Sequence, residues 1–468
     1  MTDAPPANGA PAAATPDDHD EPTQHGEPIQ HGQPTQHGEP IQHGEPIQHG
    51  ERAQRGGPAW SAEVGVPTQR VRATWVLTFS LAVTGMFVGW YGPLQILLAK
   101  QADAFSPGDK QGALALVTGV GALFSLIANP LWGALSDRTI SRFGRRLPWI
   151  AAGTATGVAG LAILAVARDI TMMIIGWSLV QTALNAPFAA LTAAIPDQVP
   201  VAQRGIVGGY FGVAQTVGAA AGASLAVVGG SITGGYLACA GFVLVSVVPY
   251  LLIRRDHVLP AALRPAWSWR SFLTGFWISP ARHPDFAWAW LTRFLMNLGN
   301  AMAVLYLFFY LKDEVGLADP DGGVLILTAV NAATLLITVL VAGAWSDRLG
   351  NRRVFVTWSG VIMALAGFLL AGWHSWTGVI VAALILGVGF GAFTSVDFAL
   401  MTQVLPTDLD RGKDLGVINI ANSMPQVLAP AIAAPIVAHA GGYPTLYVAS
   451  SLFALAGAAL VYRIKSVR

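Results

Sequence analysis

From Trp75 onward the chain alternates apolar runs of about 20 residues with short polar segments, and a helix of that length crosses a ~30 Å hydrocarbon core. The runs fall at 74–98, 112–134, 147–167, 170–194, 205–229 and 232–253. After a longer polar segment they resume at 286–311, 322–344, 354–372, 375–402, 414–438 and 442–463. The pattern predicts an all-α membrane protein of twelve transmembrane helices in two six-helix halves, 73–253 and 286–468, with a linker at 254–285. Composition agrees, since only 11% of residues are charged and 53% are hydrophobic, against about 25% charged in a soluble chain. The 52 glycines suit helices that pack closely in lipid.

Residues 1–72 break this pattern. A hexapeptide recurs from Glu21, Glu27, Gln33, Glu39 and Glu45, with a decayed copy at Glu51. Six-residue repeats rich in proline and glycine cannot bury a core, so the segment is expected to be a disordered tail. Its histidines, His25, His31, His37, His43 and His49, recur every sixth residue and lack the close spacing of a fixed metal site. The polar start also argues against a cleaved secretory signal. In the linker, Trp269, Phe272 and Phe276 share one helical face beside Trp267 and Trp277, which suits a short helix lying against membrane lipid.

Charge adds orientation. The tail, the C-terminus and the segments 135–146, 195–204, 254–285, 345–353 and 403–413 hold every lysine and arginine except Lys100, Lys110, Arg168, Arg293 and Lys312. By the positive-inside rule both termini are cytoplasmic and the chain is a multi-pass protein of the cell membrane. The net charge of +1 gives no reason to expect a nucleic-acid partner. The single cysteine, Cys239, lies in an apolar run and is read as a small packing residue.

One short signature occurs twice. Gly133-Ala134-Leu135-Ser136-Asp137-Arg138, followed by Gly144, Arg145 and Arg146, is echoed by Gly343-Ala344-Trp345-Ser346-Asp347-Arg348, followed by Arg352 and Arg353. Ile195-Pro196 and Leu405-Pro406 hold the same offset. Two parallel copies of one membrane unit point to a transporter with its site between the halves. Gly133, Asp137, Arg138, Gly144, Arg145 and Arg146 resemble the signature loop of the major facilitator superfamily over roughly 74–463. The run Ser136 to Pro148 is further similar to the loop of sucrose/proton and sugar–cation symporters. That resemblance implies a sugar-type solute and alternating access. Members of the bacterial sugar–cation type rely on acids in the second helix; here Gly112 to Ala134 carries none, so proton coupling or facilitated exchange fits better than sodium.

The signature suggests a conformational gate made of Gly133, Asp137, Arg138, Arg145, Arg146, Gly343, Asp347 and Arg348. Glycine lets helix backbones approach, and a carboxylate suits the N-terminus of a facing helix. Asp137 is expected to reach helix 11 near Lys413, and Asp347 helix 5 near Arg204, only while the cytoplasmic end is shut. The alternative is that the arginines merely set topology.

Polar groups within the spans are costly and face a cavity or another helix. Arg293 and Asp397 lie at similar depths and could pair, with Asp397 as the proton-coupling group or with both holding solute; a structural ion pair is the alternative. The resemblance places helices 1, 4, 7 and 10 around the cavity. Gln95, Gln181, Asn185, Asn297 and Asn300 complete the expected substrate-binding set, with Trp90, Tyr91 or Phe188 as walls. Each amide alone could instead join helices. Gln215, Asn419, Asn422 and Gln426 rank second. The glycines of helix 5 are expected to pack across the halves. No phosphate loop, hydrolytic triad or metal cluster is visible, so no cofactor and no enzymatic activity are expected. The sequence thus predicts a monomeric secondary transporter of a small polar organic solute, a sugar or glycoside, coupled to protons. A drug or metabolite exporter is the alternative, favoured by an apolar, aromatic cavity, and a membrane sensor is the remote one.

Overall fold

A computed structural model of the chain describes residues 69–253, 279–349, 351–404 and 411–465 and a few positions between 256 and 270. The repeat tail and most of the expected interfacial helix lie outside the described residues; Trp269, at the start of that helix, is exposed. Among the described residues, eleven helices are long and apolar enough to cross a membrane, and one bent pair counted as a single span makes twelve. The first half contains α1 (Ala73–Phe105), α2 (Lys110–Asp137), α3 (Leu147–Ala165), α4 (Ile170–Gln198), α5 (Val201–Val228) and α6 (Ile232–Ile253). The second contains α7 (Pro284–Leu305 continuing as Leu307–Asp313), α8 (Pro320–Leu349), α9 (Arg352–Gly372), α10 (Trp376–Gln403), α11 (Arg411–His439) and α12 (Gly442–Leu460). The end at which α1 begins is called the terminal end, and its opposite the far end.

The repeat is visible in detail. Asp109 and Asp319, at matching positions, cap α2 and α8 by accepting hydrogen bonds from Gly112 N (3.1 Å) and Gly322 N (3.0 Å), satisfying an otherwise orphaned donor. The π-turn Pro93–Leu97 interrupts α1, and the second half breaks α7 by 41° at Tyr306, within the matching stretch. Within the halves, α4 packs on α2 and α3, and α10 on α8 and α9. Across them, α2 packs on α11 and α5 on α8, as a twofold relation requires.

Two expectations need correction. The first helix runs past 98 to Phe105 because Gln101 is buried rather than solvated: its amide donates to Leu164 O (3.0 Å) and its oxygen accepts from Tyr236 Oη (3.0 Å). The glycines of α5 divide their work. Gly222 meets α1 of its own half, where a Cβ would come 2.7 Å from Gly92 N, while Gly208, Gly209 and Gly212 have no atom within 4 Å of that position.

Candidate functional site

A cavity of about 660 Å³ lies between the halves, lined by α1, α5, α7, α8, α10 and α11, with Leu370 of α9. Gln95, Gln215, Thr216, Asn300, Asn331 and Gln426 supply polar atoms, and Leu94, Val213, Leu335, Leu386 and Phe390 supply apolar wall. No charged side chain occurs among the described residues lining it. Both irregular helix segments border the cavity: Leu94 and Gln95 lie in the π-turn of α1, and Leu305 and Leu307 flank the break in α7. Irregular backbone is tolerated at membrane depth where it lines such a space. At the cavity's far limit Thr328 Oγ1 donates to Gln95 Oε1 (3.2 Å), joining the halves. Toward the terminal end the cavity reaches Gly208 on α5 and Thr394 on α10.

Of the expected binding residues, Gln95 and Asn300 line this cavity. Asn185 does not: its amide donates to Ser125 Oγ (2.8 Å) and Gln181 O (2.6 Å), and its oxygen accepts from Asn129 (2.9 Å), tying α4 to α2. Gln181 lies on the same seam, packed near Gly121. Tyr91 lines the cavity, whereas Trp90 and Phe188 pack edge to face at 5.4 Å within an aromatic group that also holds Phe87.

Arg293 and Asp397 form an ion pair, and Arg293 Nε donates to Asn422 Oδ1 (2.9 Å). Asn297 donates to the same oxygen (3.2 Å) and to Arg293 O (2.9 Å). Helical spacing relates this buried cluster to the cavity. Thr394, Gln426 and Asn300 line the cavity on α10, α11 and α7; Asp397, Asn422 and Asn297 follow three or four residues nearer the terminal end on the same helices, which is the spacing of one helical face. The cluster therefore continues the polar face of the second half beyond the cavity.

At the terminal end the contacts of the first signature among the described residues lie within its own half. Arg145 pairs with Asp197 (2.6 Å), and Arg146 with Asp137 (2.5 Å) and Asp197 (3.0 Å). Burial alone would lower the pKa of Arg146, but the Asp137 and Asp197 carboxylates more than offset it and hold the guanidinium above its ordinary value. Asp256, from the linker, accepts from Arg146 N (2.6 Å) and Leu147 N (2.9 Å) and so caps α3. Arg204 donates to Val199 O (3.1 Å) and Pro196 O (3.0 Å), both in its own half. Among the described residues, no atom lies within 4 Å of a Cβ position at Gly133. The surroundings of Gly343 and the side chains of Asp347, Arg348 and Lys413 lie outside the described residues.

The far end is crossed by charges that sequence reading used only for orientation. Lys100 pairs with Asp321, Lys110 with Asp313 (2.7 Å) and Lys312 with Asp103, each between the halves. Gln111 donates to Tyr443 Oη (3.1 Å), which donates to Asp313 (2.7 Å), and Tyr306 Oη donates to Gln111 O (3.1 Å).

Comparison with known proteins places this geometry. The profile of the Major Facilitator Superfamily matches residues 77–337 and 318–468. The ectoine/proline transporter ProP of Corynebacterium glutamicum is 22% identical over 456 residues, covering 86% of this chain and 85% of that protein. The multidrug resistance protein MdtL of Shewanella sp. (strain ANA-3) is 34% identical over 104 residues, so the match spans only 26% of that relative and 22% of this chain. Among solved structures, a point mutant of the nucleoside transporter NupG matches with a TM-score of 0.67 at 12% identity, over 83% of this chain and 99% of that one, a likeness of fold.

Proposed function

The chain belongs to the major facilitator superfamily, and on that premise we propose that it is a secondary transporter carrying a small uncharged organic solute across the cytoplasmic membrane by alternating access. The termini face the cytoplasm, in keeping with the placement of arginine and lysine. The structure then corresponds to the inward-open arrangement. The far end is crossed by ion pairs, and Gly208, Gly209 and Gly212 face open space toward the cytoplasm.

The observation that carries the reading is a cavity between halves with amides and hydroxyls spread over an aliphatic wall and no charge among the described residues lining it. Such a lining suits a neutral solute with a hydroxylated part and an apolar part, a glycoside before a free sugar. Zwitterions of the kind named for ProP would meet no opposite charge among the described residues of these walls. Asp397, one helical turn from Thr394 on the same face of α10, is the group assigned to proton coupling, with Arg293 as its counter-charge and Asn297 and Asn422 holding Arg293 in place. The signature at Asp137 and Arg146 serves the inward gate, its acid held by its own half until the cytoplasmic end closes.

The aliphatic share of the wall supports a second reading, export of an apolar compound. A thermal-shift screen of purified protein against glycosides, sugars and apolar cations separates the two, because a ligand bound only by the folded state raises the melting temperature with concentration. Stabilisation by a glycoside, followed by pH-driven accumulation in proteoliposomes that Asp397→Asn abolishes, is the expected result. Stabilisation by apolar cations alone would move the assignment to export.

A further inference from the structure

Behind the second-half wall of the cavity lies a recess of about 10 Å³, room for one group the size of a water molecule or a methyl. Asn300, Ala303, Leu370 and Leu386 border both spaces and form the partition between them. The inner walls come from Met363 and Ala366 on α9 and Ala454 on α12. Backbone contact around the recess keeps it from collapsing. A Cβ at Gly299 would stand 2.8 Å from Ser450 O, and one at Gly367 3.0 Å from Tyr447 O, so α12 already rests on α7 and α9. The Ser450 hydroxyl, at the edge of the recess, donates to Gly299 O (2.8 Å). The Asn300 side chain makes no hydrogen bond among the described residues, whereas the Asn331 amide is committed to Ala383 O (3.3 Å).

Resting on the reading of the cavity as a glycoside site, we propose that this recess is a specificity subsite for a methyl group and that the solute is a deoxyglycoside, with a methyl where an ordinary hexoside carries a hydroxymethyl. A methyl pushed past Ala303 meets apolar atoms on most sides and restores the dispersion contacts that an empty void forfeits. A hydroxyl carried to the same place gives up its water for a lining whose Ser450 hydroxyl is already engaged. Discrimination therefore comes from the penalty on the hydroxylated competitor as much as from the fit of the methyl. Asn300 borders the recess and the cavity alike, so its free amide is placed for the ring hydroxyl beside the methyl.

Matched pairs of probes test this on the purified full-length protein: methyl 6-deoxyglucoside against methyl glucoside, and methyl 6-deoxygalactoside against methyl galactoside. The measurement is the concentration at which each raises the melting temperature. In at least one pair the deoxy member should act at a roughly 10- to 100-fold lower concentration, the discrimination that one small group in an apolar pocket provides. Ala366 is fully buried against the recess, and Ala366→Val should fill it, melting close to the parent while erasing the preference. Ala454→Val, from α12, should do the same and stands in if the first variant fails to fold. Equal concentrations within both pairs, or a preference that survives in the filled variants, would overturn the subsite and leave the glycoside reading intact. A large drop in melting temperature in both variants would also overturn it, since overpacking would mean that no room for a methyl exists. Stabilisation by none of the four probes would overturn the subsite together with the glycoside reading on which it rests.

Discussion

Asp103 and Asp313, at matching positions of the two repeats, converge on one ammonium: Lys110 lies 3.6 Å from the first and 2.7 Å from the second. A single lysine thereby serves an acid from each half. Lys110 is 14% exposed and Lys312 43%, and a more exposed pair is better screened and weaker. Lys110→Ala is expected to open the far end more than Lys312→Ala does. Rates of labelling of a cysteine at Asn331 by a membrane-impermeant reagent, added from the far side, provide the comparison. Equal rates in the two variants would contradict the ranking.

The Arg293–Asp397 pair should behave as a buried ion pair does. Removing one partner leaves an uncompensated charge at a cost of about 3–5 kcal/mol, whereas replacing both with apolar residues is often close to neutral. Arg293→Met is therefore expected to melt well below Arg293→Met combined with Asp397→Leu. Thermal unfolding of the purified variants decides it. A double variant no more stable than the single one would mean that the two charges are not each other's principal partners.

Gly144 has a φ of +97°, and a Cβ there would press on the Asp256 carboxylate that caps α3. A non-glycine residue in this region costs about 1–2 kcal/mol from the backbone alone. Gly144→Ala should therefore lower stability, and less so in an Asp256→Gly background, where the clashing side chain is gone. Strict additivity in the double-mutant cycle would show that the linker carboxylate is not in the way.

Asn300 and Asn185 separate binding from packing. Asn300 lines the cavity, while the Asn185 amide is satisfied between α2 and α4. Once a ligand is in hand, Asn300→Ala should weaken its binding about 5- to 30-fold, the equivalent of a lost hydrogen bond of about 1–2 kcal/mol. Asn185→Ala should instead lower the melting temperature and leave affinity unchanged. Calorimetric titration beside thermal unfolding tests both, and the reverse pattern would relocate the site to the α2–α4 seam.

The twelve spans were legible in the sequence because lipid leaves a chain few ways to satisfy its backbone, and a run of about 20 apolar residues announces the chosen one. The end of α1 was not, since a helix leaving lipid can continue over Lys100, Gln101 and Asp103 once Gln101 finds buried partners. Gln95 and Asn300 stood out as amides in apolar runs, but so did Asn185, and nothing in the sequence said which face of each helix met the cavity. Thr394 stayed silent because its hydroxyl bonds the carbonyl of Phe390 one turn back and betrays no need of a partner. Lys100, Lys110 and Lys312 were conspicuous only as exceptions to the charge asymmetry. Their acids lie more than 200 residues away, a separation that only folding closes.

The placement of the far-end acids also governs which half matches which. In two copies of the first half set face to face, Asp103 would stand where Asp313 does and serve Lys110, but Gln111 would stand where Asp321 does and leave Lys100 without a carboxylate. Only the pairing of unlike halves gives both lysines an acid. Recognition between the halves is thus written into one position of the repeat, the aspartate that opens α8 and that α2 lacks.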